Sequence, residues 1–174
     1  MNTKPSTNNV VLQEGDALDL NCTATGCPTP NITWTKQGLP GSLGSRVDDL
    51  SMHRFTRLSK EDTGHYVCTV DNGVIGSPVI KTIYVNVTYI PYRTNMTSTR
   101  GRACLNDSVT LTCTTNANPP AHEYRFYLND QVFHTSSSGV HQFFVPQSGN
   151  NTYKCAPKNH YGYGENATVL IPTK

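Results

Sequence analysis

The stretch Lys60-Glu61-Asp62-Thr63-Gly64-His65-Tyr66-Val67-Cys68, KEDTGHYVC, decides the fold. It sets an acid, a glycine, a tyrosine and a cysteine at intervals of two residues, with a histidine inside the run. That spacing has three readings: a catalytic site, a metal site, or a piece of scaffold. The chain carries no G-x-S-x-G nucleophile motif, and no convergent set of titratable groups surrounds Asp62 and His65. Its six histidines (His53, His65, His122, His134, His141 and His160) are scattered, with no pair spaced to put two metal ligands on one face. They read as solvated strand and loop residues. No enzyme activity, metal or cofactor is expected.

Bulk composition narrows the class. At 174 residues the chain holds one large domain or two small ones. A net charge of +2 is too small to point to nucleic acid or a membrane surface. No apolar run approaches the roughly 20 residues needed to span a bilayer. The start, Met1-Asn2-Thr3-Lys4-Pro5, lacks the apolar core of a signal peptide. The sequence reads as a piece of a longer protein.

Six cysteines are present: Cys22, Cys27, Cys68, Cys104, Cys113 and Cys155. None forms a C-x-x-C pair, so a disulfide framework in an oxidising compartment is the better reading than zinc. Glycan acceptor sequences support that compartment. Asn-x-Ser/Thr occurs seven times, at Asn21, Asn31, Asn86, Asn95, Asn106, Asn150 and Asn166. Random placement of the same residues would give about three. Asn21, Asn31 and Asn86 alternate with apolar neighbours, which turns them to the outer face of a strand. Asn106 and Asn150 fall in polar, turn-like stretches. All seven are expected on a wet surface, where a glycan can be carried.

Strand signals dominate, as short runs of period two separated by Gly, Pro, Asn and Ser. No helical period is convincing. One pattern is used twice. The first half holds Leu20-x-Cys22, Trp34, Tyr66-x-Cys68, Asn72 and Gly76; the second holds Leu111-x-Cys113, Phe126, Tyr153-x-Cys155, Asn159 and Gly162. The joint falls near Val87–Pro91, giving domains over 1–88 and 89–174.

Both halves resemble immunoglobulin domains, and the match covers nearly the whole chain. The resemblance implies an all-β fold of two tandem antiparallel sandwiches. It implies disulfides Cys22–Cys68 and Cys113–Cys155, with Trp34 packed on the first and Phe126 in the corresponding place on the second. Tyr66 and Tyr153 should bond back to the chain upstream. Asp62 falls where the family pairs an acid with arginine, and Arg46 is the candidate partner. Gly64 suits a corner that a side chain would crowd. The cysteine separations, 46 and 42 residues, leave little room for the extra strands of a variable-type domain, so both halves resemble the intermediate or C2-like type. In the second half Gly149-Asn150-Asn151 replaces the acid–glycine pair, and the corner salt bridge should be missing.

Cys27 and Cys104 are left over. They are either free thiols or bonded to another chain or to a segment outside this one. Contact with a partner is expected at the loops of one end of domain 1: Gly26–Pro30, and Asp71, Asn72, Val74 and Ile75 of the Asp71–Gly76 loop. The resemblance implies an extracellular recognition module of a single-pass cell-surface protein. Its partner would be another cell-surface or secreted protein, or a second copy of itself. The alternative is a ligand-binding piece of a signalling receptor, such as a receptor tyrosine kinase.

Overall fold

The computed structural model describes residues 1–174 apart from Asp48, Ile75 and Ser77. It divides into two units, Met1–Thr88 and Tyr89–Lys174. Both are all-β sandwiches; a single 3-10 turn, Lys60–Asp62, interrupts the strands among the described residues.

Unit 1 is built from β1 (Asn2–Lys4), β2 (Asn9–Gln13), β3 (Leu18–Thr23), β4 (Asn31–Lys36), β5 (Ser45–Val47), β6 (Leu50–Phe55), β7 (Gly64–Asp71) and the leading part of β8 (Val79–Ser98). One sheet runs β1-β3-β6-β5. The other runs β2-β8-β7-β4, with β2 parallel to β8 and the remaining pairs antiparallel. Period-two alternation puts Leu18, Leu20 and Cys22 of β3 opposite Ile32 and Trp34 of β4, Tyr66 and Cys68 of β7, and Ile83, Val85 and Val87 of β8 in one core. Cys22 and Cys68 are bonded across it, and Trp34 lies beside Cys68 in register. The Trp34 indole N–H donates to the Ser51 carbonyl at 3.2 Å, which satisfies its one polar group inside the core.

Unit 2 uses the rest of β8 with β9 (Ser108–Asn118), β10 (Glu123–Leu128), β11 (Gln131–Ser136), β12 (Val140–Phe144), β13 (Gly149–Asn159), β14 (Gly162–Tyr163) and β15 (Ala167–Thr173). Its sheets are β8-β9-β12 and β11-β10-β13, with β14 and β15 both paired to β13. Cys113 and Cys155 are bonded, and Phe126, fully buried, sits opposite Cys155. In the chain-entropy picture each disulfide closes a loop of over 40 residues and contributes about 4 kcal/mol, against a typical total of about 5–15 kcal/mol.

The two units are not the same subtype. In unit 1 the short strand β5 extends the β1-β3-β6 sheet. In unit 2 the corresponding chain forms β11 and joins β10 in the opposite sheet. The short cysteine separation does leave room for this extra strand, because it costs only a two-residue hairpin. Asn129 and Asp130 both have positive φ, 48° and 66°, the left-handed pair that matches the twist of adjoining strands.

Candidate functional site

The signature stretch is a corner. Ser59 donates from its backbone N–H (2.8 Å) and its hydroxyl (2.9 Å) to Asp62 Oδ2, so the acid caps the 3-10 turn that it closes. The Tyr66 hydroxyl donates to the Asp62 carbonyl at 2.8 Å. Burial, and secondarily the Asp62 charge, push the Tyr66 phenol well above its ordinary range. Arg46 is elsewhere. Its guanidinium donates to Asn31 Oδ1 and to the Pro30 carbonyl, each at 2.8 Å. The expected Asp62–Arg46 pair is therefore corrected. Arg46 stands on β5, from which it reaches the start of β4, while Ser59 meets the acid's bonding capacity locally. A Cβ on Gly64 would stand 2.9 Å from Lys36 Cε, so what crowds this position is a side chain. Lys36 runs past it to donate to the Glu61 carbonyl at 2.6 Å and lies 5.4 Å from the Tyr66 ring centre.

The same corner in unit 2 is wired differently. Tyr153 is fully buried, and its hydroxyl has no hydrogen-bond partner among the described residues. Asn151, at the position of Gly64, organises the turn instead. Its Oδ1 accepts from Asn129 Nδ2 and Gln147 Nε2, and its Nδ2 donates to the Gln147 carbonyl and Thr173 Oγ1.

Neither corner brings reactive groups together among the described residues, and the loops expected to make contact lie apart from them. In unit 1 the Gly26–Pro30 loop and the loop after β7 adjoin: a Cβ on Gly26 would lie 3.9 Å from Asn72 Nδ2 and 3.6 Å from Pro30. Asp71 Oδ1 accepts from the Gly73 N–H at 2.8 Å, and Asn72 Oδ1 accepts from the Val74 N–H at 3.2 Å. Two successive Asx turns thus fix the tip. Asp71 and Asn72 are exposed, and Val74 is 48% exposed. Ile75 lies outside the described residues. The repeat-related loop of unit 2 is tied down. Asn159, at the position of Asn72, is fully buried and donates to the Tyr89 and Pro119 carbonyls at 2.8 and 3.0 Å.

Among the acceptor asparagines, Asn31, Asn95, Asn106, Asn150 and Asn166 are exposed. Asn21 and Asn86 are only half-exposed, and the Asn21 side-chain oxygen is buried without a partner among the described residues. Outward alternation on β3 does not ensure exposure, because β1 and β6 flank Asn21 on both sides. Cys27 and Cys104 are exposed free thiols.

Three histidines depart from the solvated reading. His53 packs against Phe55 and Tyr66 in unit 1. His134 and His141 stack at 3.6 Å among Phe126, Phe133 and Phe143 in unit 2. One local hint is that His141 shares a period-two face with Phe143, opposite to Val140, Gln142 and Phe144. Among the described residues no cluster of three or more His, Cys, Asp or Glu side chains is placed to hold a metal.

Paired sheets, a cross-sheet disulfide in each unit and an aromatic residue on each disulfide define a tandem of immunoglobulin-like domains. An immunoglobulin-domain family model matches residues 3–72. Human MAM domain-containing glycosylphosphatidylinositol anchor protein 1 is 36% identical over 138 residues, 74% of this chain and 14% of that protein. Human Brother of CDO is 28% identical over 97% of this chain and 16% of its own length. The mouse nectin-like molecule 4 ectodomain superposes with a TM-score of 0.69 at 18% identity, over 94% of this chain and 62% of that one. The chain belongs to the immunoglobulin superfamily and is a non-enzymatic module. It spans about one seventh of the length of the curated relatives that it matches.

Proposed function

We propose that the chain is an extracellular recognition module of a membrane-anchored cell-surface protein, attached through a segment outside this sequence. It binds another cell-surface or secreted protein through the loop end of unit 1, and seven asparagines are its candidate glycan acceptors. The carrying observation is the contrast between repeat-related loops. Asn159 is buried and bound to the body of unit 2, whereas Asp71, Asn72 and Val74 stand out from unit 1 on two fixed turns. An exposed apolar side chain beside two Asx turns offers contact area to a partner. The human relative's name, a glycosylphosphatidylinositol anchor protein, supports a membrane-attached setting.

One substitution tests the loop. Val74→Thr turns Asn72-Gly73-Val74 into an acceptor sequence and places a glycan on the tip. Tetramerised chain made in secretory cells should stain partner-bearing cells, and V74T should lose at least tenfold in staining. Enzymatic removal of the Asn72 glycan should restore most of it. Unchanged staining by a fully glycosylated V74T would contradict the assignment.

A further inference from the structure

Strand β12 ends its sheet. Among the described residues it pairs with β9 alone, whereas the corresponding β6 of unit 1 lies between β3 and β5. The open edge follows from the subtype difference: the chain that would have covered β12 has gone to the other sheet as β11.

The register identifies the outward backbone groups. The Cys113 N–H donates to the Gly139 carbonyl at 2.8 Å, and Val140 lies opposite Thr112. Hydrogen-bonded pairs in an antiparallel ladder recur every second residue. They are therefore Gly139/Cys113, His141/Leu111 and Phe143/Val109. The amide groups of Val140, Gln142 and Phe144 face the open edge. Of these, the Val140 carbonyl receives the Ser136 hydroxyl at 3.2 Å.

Natural edges are guarded by lysine, proline or a bulge. Val140-His141-Gln142-Phe143-Phe144 carries no lysine, proline or acid, and its pairing with β9 is unbroken in register. Val140 is 45% exposed and Phe144 69%, more than any other large apolar side chain described.

We propose that this edge pairs with the same edge of a second copy of the chain. Antiparallel pairing about Gln142 sets Gln142 opposite its own copy and Val140 opposite the partner's Phe144. All three outward residues then pair in one ladder; Ser136 releases the Val140 carbonyl. Each exposed Phe144 covers a Val140, the Gln142 side-chain amide keeps its 2.9 Å bond to the Ser108 hydroxyl, and no like charges oppose each other. Charge complementarity favours a second copy over a charged peptide, since the edge offers no ionic partner. Symmetry closes the contact at a dimer. A five-residue strand buries much less than a standard interface of about 1,600 Å² in total, so the dimer is weak and matters where many copies share a surface.

The test is sedimentation of the whole chain, in glycosylated and enzymatically deglycosylated form. The weight-average mass should rise from monomer toward dimer over roughly 10–1,000 μM. Gln142→Pro removes an N–H that β9 does not use, and Phe144→Lys charges an exposed position; each should weaken association at least tenfold. Amide exchange at Gln142 and Phe144 should slow as concentration rises in the unaltered chain. Should Gln142→Pro fail to fold, Phe144→Lys and the exchange measurement still decide. A strict monomer at 1 mM overturns the proposal, as does association that survives both substitutions or that V74T abolishes. Because V74T alters only unit 1, failure of this proposal and failure of the loop reading are separately visible.

Discussion

Two corners occupy the same place in two sandwiches and solve one problem in different ways. In unit 1 a tyrosine hydroxyl closes the turn on a backbone carbonyl, and an acid caps the residues before it. In unit 2 the tyrosine keeps its place in the core, but its hydroxyl has no partner among the described residues, and an asparagine amide makes the closing bonds. The shared requirement is thus an aromatic wall beside the disulfide together with a satisfied turn. Which side chain satisfies the turn is free to vary. A position needing no side chain in unit 1, Gly64, becomes the centre of a polar network in unit 2, Asn151.

This comparison can be broken by substitution. Trp34 is the chain's one tryptophan, so its fluorescence reports unit 1, and calorimetry adds the transition of unit 2. The largest effect should come from Asn151→Gly, which installs the unit 1 residue. It strands Gln147 and Thr173 groups beside a buried site and should cost unit 2 about 2–4 kcal/mol, leaving unit 1 unchanged. Tyr66→Phe should cost unit 1 about 1–2 kcal/mol, because the Asp62 carbonyl loses its donor. Tyr153→Phe should fall within about 0.5 kcal/mol of no change, or stabilise, since it removes a buried hydroxyl that has no partner among the described residues. Equal losses from the two phenylalanine substitutions would show that Tyr153 has a partner after all.

Acid separates the units again. Burial holds both His53 and His141 below the ordinary imidazole range. For His53 the Asp62 charge pulls back upward, whereas for His141 the neighbouring His134 pushes further down. A base with a lowered folded-state pKa binds fewer protons when folded. Its contribution to stability is therefore complete above the unfolded value near 6.5 and shrinks as pH falls below it. Between pH 7.5 and 5.5 both transitions should move down. His53→Phe should flatten the response of unit 1 alone, and His141→Phe that of unit 2 alone.

Glycan occupancy is a graded consequence of burial. Mass analysis before and after enzymatic deglycosylation should find Asn31, Asn95, Asn106, Asn150 and Asn166 more fully occupied than Asn21 or Asn86.

Much of the fold was legible, because its markers are local spacings. Cysteine, tyrosine and tryptophan positions name the strands that carry them, and their repetition names the second unit. Long-range side-chain choices were not legible. Arg46 suits an acid by type, and only the placement of β5 turns it toward Asn31 and Pro30. Asn151 looks like turn filler until β15 brings Thr173 beside it. The stacked pair His134 and His141 comes from two different sheets, so neither strand's sequence announces it. The departure of β11 was written in Leu128-Asn129-Asp130-Gln131, a two-residue hairpin signal that cysteine spacing alone overrides. For the proposed recognition end, the sequence offers loops in both units, and the burial of Asn159 sets that of unit 2 apart.

On the proposed function, scaffold and recognition are separate in unit 1: KEDTGHYVC holds the fold, and the loop beyond it would make the contact. Cell staining by V74T and Y66F, alongside their unfolding midpoints, tests this most directly. The account predicts that V74T loses staining at least tenfold with an unchanged midpoint. Y66F should lower the midpoint and keep its staining at temperatures where the unit is folded. Full staining by V74T, or staining lost in a folded Y66F, would contradict it.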